Sequence, residues 1–155
     1  MPSVLVLDDE PALTKLISVM LETRGYTVRG FLRPLEALEA LEGFSPDAII
    51  SDVSMPQMDG LEFCRRVREN PRFAQVPFIF LSAMAERRDI REGMNVGADD
   101  YLTKPFHSDE LLEALEVRLK RAETCAPRSP RVSRQSRRCR LGRLVRRVCC
   151  ITVRR

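Results

Sequence analysis

From residue 3 onward, short apolar runs alternate with longer segments whose apolar positions recur every three or four residues, and the alternation repeats five times. That rhythm belongs to a parallel sheet built from strand–helix units. The predicted strands are 3–8, 26–31, 47–52, 77–82 and 99–102. Three of them, VLVLD, AIISD and FIFLS, stay apolar until a polar residue closes them. Such strands are buried on both faces, so their polar last residues gather at one edge of the sheet.

The segments between strands carry helix signals. Pro11 suits an opening turn, Leu13, Leu16, Ile17, Met20 and Leu21 follow helical spacing, and Gly25 suits the C-terminal turn. A second helix opens with Pro34 and turns Ala37, Leu38 and Leu41 inward. In the third, Asp59 and Glu62 have capping-box spacing, Phe63, Cys64 and Val67 face the core, and the helix stops before Pro71. A fourth is expected over 86–95. A fifth is capped by Ser108 and carries Leu111, Leu112, Leu115 and Leu119. The reading is an α/β domain of (βα)5 type over residues 1–123. In open sheets of this kind, ligands bind outside the carboxyl ends of the strands.

Charge divides the chain in two. Residues 1–124 hold all 22 acidic side chains against 15 basic ones, whereas 125–155 hold 11 Arg and no acid. The net +4 therefore hides a domain near −7 and a tail of +11. Cysteines divide similarly, with Cys64 in the domain and Cys125, Cys139, Cys149 and Cys150 after it, so no disulfide framework is expected. No run is long and apolar enough to span a bilayer, and nothing at the start reads as a signal peptide. A cytoplasmic location is expected.

The strand ends collect Asp8 and Asp9, then Asp52, Ser82 and Lys104. Three carboxylates in a partly dry site repel one another until a proton or a hard cation neutralises them, and Mg²⁺ suits oxygen ligands that include a substrate phosphate. A carboxylate is also a nucleophile toward phosphorus, and phosphoryl transfer needs mainly positioning and charge neutralisation. Lys104 and the cation would supply charge, while the Ser82 hydroxyl and the Ala83 backbone N–H would donate to phosphoryl oxygens.

LVLDDE, SDVSMPQMDG, LSA and YLTKPF, in that order and spacing, resemble the motifs of the receiver domains of two-component response regulators, over about residues 2–122. The resemblance implies a flavodoxin-like sheet of order 2-1-3-4-5. It implies Asp52 as phosphoacceptor, Asp9 as a direct Mg²⁺ ligand, Asp8 acting through water, and the Ser54 carbonyl as a further ligand. Lys104 then corresponds to the phosphate-pairing lysine, Ser82 to the switch hydroxyl and Tyr101 to the switch aromatic, with a cis bond between Lys104 and Pro105. The implied partners are a sensor histidine kinase or phosphotransfer protein and a downstream protein or output domain. A phosphorylation-dependent homodimer would form through the fourth helix, fifth strand and fifth helix. Ser54 and Met84 occupy positions that set how readily water reaches the phosphate.

Taken singly, each feature has a plainer reading. Asp8-Asp9 is also a helix cap before Pro11, Asp52 a strand end, Ser82 a turn, Lys104 a loop charge and Tyr101 a core-edge residue. His107 falls near the cap of the last helix without a second ligand beside it, and Asp59 and Gly60 suit capping and a tight loop. Asp99 and Asp100 suit a surface turn. The rival functions are a phosphorylation-independent binding module and an aspartyl-phosphate phosphatase, the second disfavoured because Ser54 stands where a general acid is wanted. No nucleotide-binding glycine motif is present. Residues 124–155 have the composition of a disordered segment, or of an out-of-frame read that has replaced an output domain. Leu141, Leu144, Val145 and Val148 among arginines also fit a basic helix on membrane or nucleic acid.

Overall fold

The computed structural model describes residues 1–83 and 94–125. Strands β1 (Ser3–Leu7), β2 (Thr27–Phe31), β3 (Ala48–Asp52), β4 (Phe78–Ser82) and β5 (Asp100–Thr103) form one sheet in the order β2-β1-β3-β4-β5. Every neighbouring pair is parallel. Helices α1 (Pro11–Thr23), α2 (Pro34–Gly43), α3 (Gly60–Glu69) and a C-terminal helix (Ser108–Cys125) cover it. The strand bounds fall within a residue of those predicted. The fourth predicted helix lies mostly outside the described residues, which resume in a helical turn at Met94.

Strand periodicity divides the core. Leu5, Leu7, Ile49, Phe78 and Phe80 point to one face, where Ala37, Leu41, Phe63 and Val67 from α2 and α3 cover them. Val4, Val6, Ile50, Ile79 and Leu81 point to the other, under Ile17 and Leu21 of α1 and Leu111, Leu112 and Leu115 of the C-terminal helix. Truncating one of these buried phenylalanines to alanine typically costs about 3–5 kcal/mol.

Local signals act as expected at most helix ends. The Asp59 carboxylate accepts from the Glu62 N–H at 2.7 Å, capping α3, and Gly25 takes φ +87° after α1. Others differ. Leu16 is 55% exposed, because α1 buries only the narrow stripe of Thr14, Ile17 and Leu21. Leu13, Met20, Leu38 and Leu119 are only partly buried. Ser108 is the first residue of its helix rather than its cap. The cap position falls to His107, whose N–H donates to the Glu110 carboxylate at 2.9 Å and whose carbonyl accepts from Leu111. Of the two residues read as a surface turn, Asp99 sits in the bend before β5 and Asp100 lies in the strand itself. Asp99 accepts from Arg68 and the Phe78 N–H, and Asp100 opens β5 and pairs with Arg118.

Candidate functional site

Because all strands run in one direction, their last residues arrive together. Asp8 and Asp52 are buried, at 0% and 6% exposure, while Asp9 is exposed. Their carboxylate oxygens lie within 4.8 Å of one another. Lys104 reaches in from the end of β5 and its Nζ donates to Asp8 at 2.7 Å and to Asp52 at 3.0 Å. The peptide bond between Lys104 and Pro105 is cis. The Lys104 N–H also donates to the Ser82 carbonyl at 2.7 Å, tying the loop after β5 to the end of β4.

Asp52 is held from several sides. The Ser54 N–H points to its Oδ1 at 3.4 Å, and the buried Ser51 hydroxyl donates to its carbonyl at 2.9 Å. After β3 the chain turns through Gln57 at φ +73° and comes back, so that the Gly60 N–H donates to the Val53 carbonyl. A Cβ on Gly60 would collide with the Asp52 carbonyl, so only glycine lets α3 begin directly against the strand end.

The electrostatics follow from burial and pairing. Burial pushes the Asp52 carboxyl above its ordinary pKa, Lys104 pulls it down, Asp8 adds to the rise, and the net direction is up. For Lys104, burial lowers the ammonium, but hydrogen bonds and attraction from Asp8 and Asp52 outweigh it and the pKa is raised. Three carboxylates and one ammonium leave an excess of negative charge. Hard oxygen donors at this spacing fit a small divalent cation.

Ser82 is buried at the end of β4, and Ala83 is exposed at the mouth of the following loop. Tyr101 pairs with Phe80 in the sheet and lies half-buried, its ring 6.4 Å from that of Phe80. Ser54 is exposed beside Asp52, and Met84 lies outside the described residues. Sequence reasoning did not identify Ser51, the close approach at Gly60, or Thr14, whose hydroxyl donates to the Asp8 carbonyl. A glycine inside β2, Gly30, was a readable signal of close packing against Thr14. A cavity of about 670 Å³ beside Met1, Tyr26, Arg72 and Leu119 contains none of the strand-end residues.

The family profile described as response regulator receiver domain matches residues 4–116. The DNA-binding dual master transcriptional regulator RpaA of Synechocystis sp. is 37% identical over 123 residues, 79% of this chain and 51% of that protein. The phosphate regulon transcriptional regulatory protein PhoB of Rhizobium meliloti is 38% identical, over 79% of this chain and 54% of its own length. The chain thus spans about half the length of these curated relatives. Among solved structures, the chemotaxis response regulator CheY4 of Vibrio cholerae superposes with a TM-score of 0.73 at 35% identity, covering 76% of this chain and 98% of that one. A response regulator from Chloroflexus aurantiacus gives 0.74 at 34% identity, covering 77% and 98%. Sheet order, strand-end chemistry and these likenesses agree, and the chain belongs to the response regulator receiver domains, the phosphoacceptor modules of two-component signalling.

Proposed function

We propose that Asp52 takes the phosphoryl group, from the phosphohistidine of a partner histidine kinase or phosphotransfer protein in the cytoplasm. The observation that carries this reading is the Lys104 ammonium bridging buried Asp8 and Asp52, with Asp9 within reach. An Asp52 carboxylate oxygen attacks phosphorus, the bond from phosphorus to the imidazole nitrogen breaks, and the imidazole leaves with its electron pair. Lys104 follows the charge from the Asp52 oxygen to a phosphoryl oxygen. The Ser82 hydroxyl and Ala83 N–H donate to the other oxygens, and Tyr101 moves into the space Ser82 leaves. Asp9, Asp52 and the Ser54 carbonyl would hold Mg²⁺, with Asp8 acting through water. When bound there, the cation neutralises charge gathering on the phosphoryl oxygens.

The two arrangements of Ser82 and Tyr101 form a two-state element that phosphate biases by its differential stabilisation of one state. The readout surface is β5, the C-terminal helix and the segment before β5, used toward a downstream protein, an output domain or a second copy. The receiver domain comprises residues 1–123. The basic segment from 126 onward lies outside the described residues. Among the described residues no helix is long and apolar enough to cross a membrane.

The test is intact mass after incubation with Mg²⁺ and acetyl phosphate. Wild type gains one phosphoryl group and loses that gain with chelator, whereas Asp52→Ala gains none. No gain in wild type from either acetyl phosphate or a phosphorylated kinase domain contradicts the reading and favours a phosphorylation-independent binding module.

A further inference from the structure

Thr14 is buried at 7% exposure on α1, between Leu13 and Leu16, which hydrophobic spacing would turn inward instead. Its Oγ1 donates to the Asp8 carbonyl at 3.0 Å. That carbonyl belongs to the planar peptide unit joining Asp8 to Asp9, so holding its oxygen orients both residues. The rest of Asp8 is fixed from other directions. Its N–H donates to the Phe31 carbonyl at 3.2 Å, its Oδ1 accepts from the Glu10 N–H at 2.9 Å, and its Oδ2 accepts from Lys104.

Thr14 is itself seated by its neighbours. Its N–H donates to the Glu10 carbonyl at 3.0 Å, and its carbonyl accepts from the Ser18 hydroxyl at 2.7 Å. Across the interface with β2, a Cβ on Gly30 would stand 2.7 Å from the Thr14 methyl carbon and 3.5 Å from the Ser18 Oγ. The methyl group therefore fills the space that a side chain at position 30 would need.

We infer that Thr14, seated against Gly30, is a positioning residue for the acidic pair, its hydroxyl fixing the peptide between Asp8 and Asp9 so that their carboxylates meet Asp52 at cation-binding distance. This rests on the reading of that cluster as the Mg²⁺ site. Groups that orient metal ligands without touching the metal typically change affinity by about 10–100-fold when removed. If Thr14 merely satisfied its own buried hydroxyl, replacing it by a residue of the same shape would leave Mg²⁺ affinity unchanged.

The experiment is a Mg²⁺ titration of the full chain followed by amide NMR shifts, with the thermal midpoint of each variant measured alongside. Thr14→Val keeps the shape and removes the donor, and is expected to weaken Mg²⁺ binding about tenfold while the spectrum stays folded. Thr14→Ser keeps the donor and binds within about twofold of wild type, well short of that loss. Gly30→Ala pushes on the methyl and weakens binding, and Thr14→Ser combined with Gly30→Ala recovers it, because the colliding methyl is gone. The recovery keeps the test decisive if Thr14→Val is poorly folded. Wild-type affinity in both Thr14→Val and Gly30→Ala, or equal loss in Thr14→Ser and Thr14→Val, overturns the inference. A wild-type protein with no saturable Mg²⁺ response overturns the cation-site reading itself, and this inference with it.

Discussion

Two partly buried cations stand at opposite ends of the sheet, each against a carboxylate, and they differ in everything else they touch. Arg68, 16% exposed, spreads its guanidinium over the carbonyls of Phe73, Ala74, Val76 and Gly97 and pairs with Asp99 at 3.0 Å. The same Asp99 oxygen receives the Phe78 N–H, so this cluster stitches the end of α3 to the starts of β4 and β5. Lys104, 20% exposed, meets the carboxylates of two buried aspartates, with a third carboxylate exposed nearby. At the Arg68 end backbone carbonyls occupy most of a fork with five donors. At the Lys104 end a point charge faces more negative charge than it can neutralise. A buried ion pair alone does not distinguish structure from chemistry; the unbalanced charge and the open side do.

The largest effect should come from breaking the structural end. Arg68→Ala takes the shared donor from the part-buried carbonyls of Phe73, Ala74 and Val76 and leaves Asp99 with only the Phe78 N–H, and is expected to lower unfolding free energy by about 3 kcal/mol, measured by urea denaturation. Phosphoryl uptake per folded molecule should not change. A large loss of uptake with little loss of stability would dissolve the contrast between the two ends.

Lys104→Met is the converse. It leaves two buried carboxylates without a cation and is expected to cost about 2 kcal/mol in metal-free protein, most of it restored by Mg²⁺. Uptake from acetyl phosphate should slow about a hundredfold, the scale of losing one donor to a developing oxyanion charge. If Mg²⁺ restores no stability, the cluster is not the cation site.

The smallest effect sharpens the electrostatics. Burial, with repulsion from Asp8, raises the Asp52 pKa by more than Lys104 and the Ser54 N–H lower it, so the folded protein holds that proton more tightly than the unfolded chain does. Its favourable contribution is complete below the ordinary value of 3.8 and is lost as pH rises through the raised folded value. Asp52→Asn carries no charge there and should be slightly more stable than wild type at pH 7 without Mg²⁺, the gap closing below pH 3.8. A less stable Asp52→Asn at neutral pH would mean that attraction to Lys104 outweighs burial.

The contrast between the two ends also separates what could be read from the chain and what could not. The three central strands were legible because each apolar run stops at a polar residue, and parallel pairing then carries Asp8, Asp52, Ser82 and Lys104 to one edge without further information. Arg68 was not legible, since it sits among Arg65, Arg66 and Arg72 and is set apart by the carbonyls of the turn that follows α3 and by Gly97 and Asp99, which fold in from far along the chain. Thr14 was passed over for Leu16 because helical spacing ranks positions by apolarity, whereas burial here follows a hydroxyl that finds a backbone carbonyl. Asp99 and Asp100 read as a surface turn for the same reason: their cationic partners lie 31 and 18 residues away.

Reductive trapping tests most directly the proposal that Asp52, rather than Asp8 or Asp9, forms the acyl phosphate. Protein treated with Mg²⁺ and acetyl phosphate is reduced with borohydride, which converts an aspartyl phosphate to homoserine, and its peptides are mapped by mass. The predicted result is homoserine at position 52 alone. Homoserine at position 8 or 9, or its absence from a protein that has gained phosphoryl mass, contradicts the account.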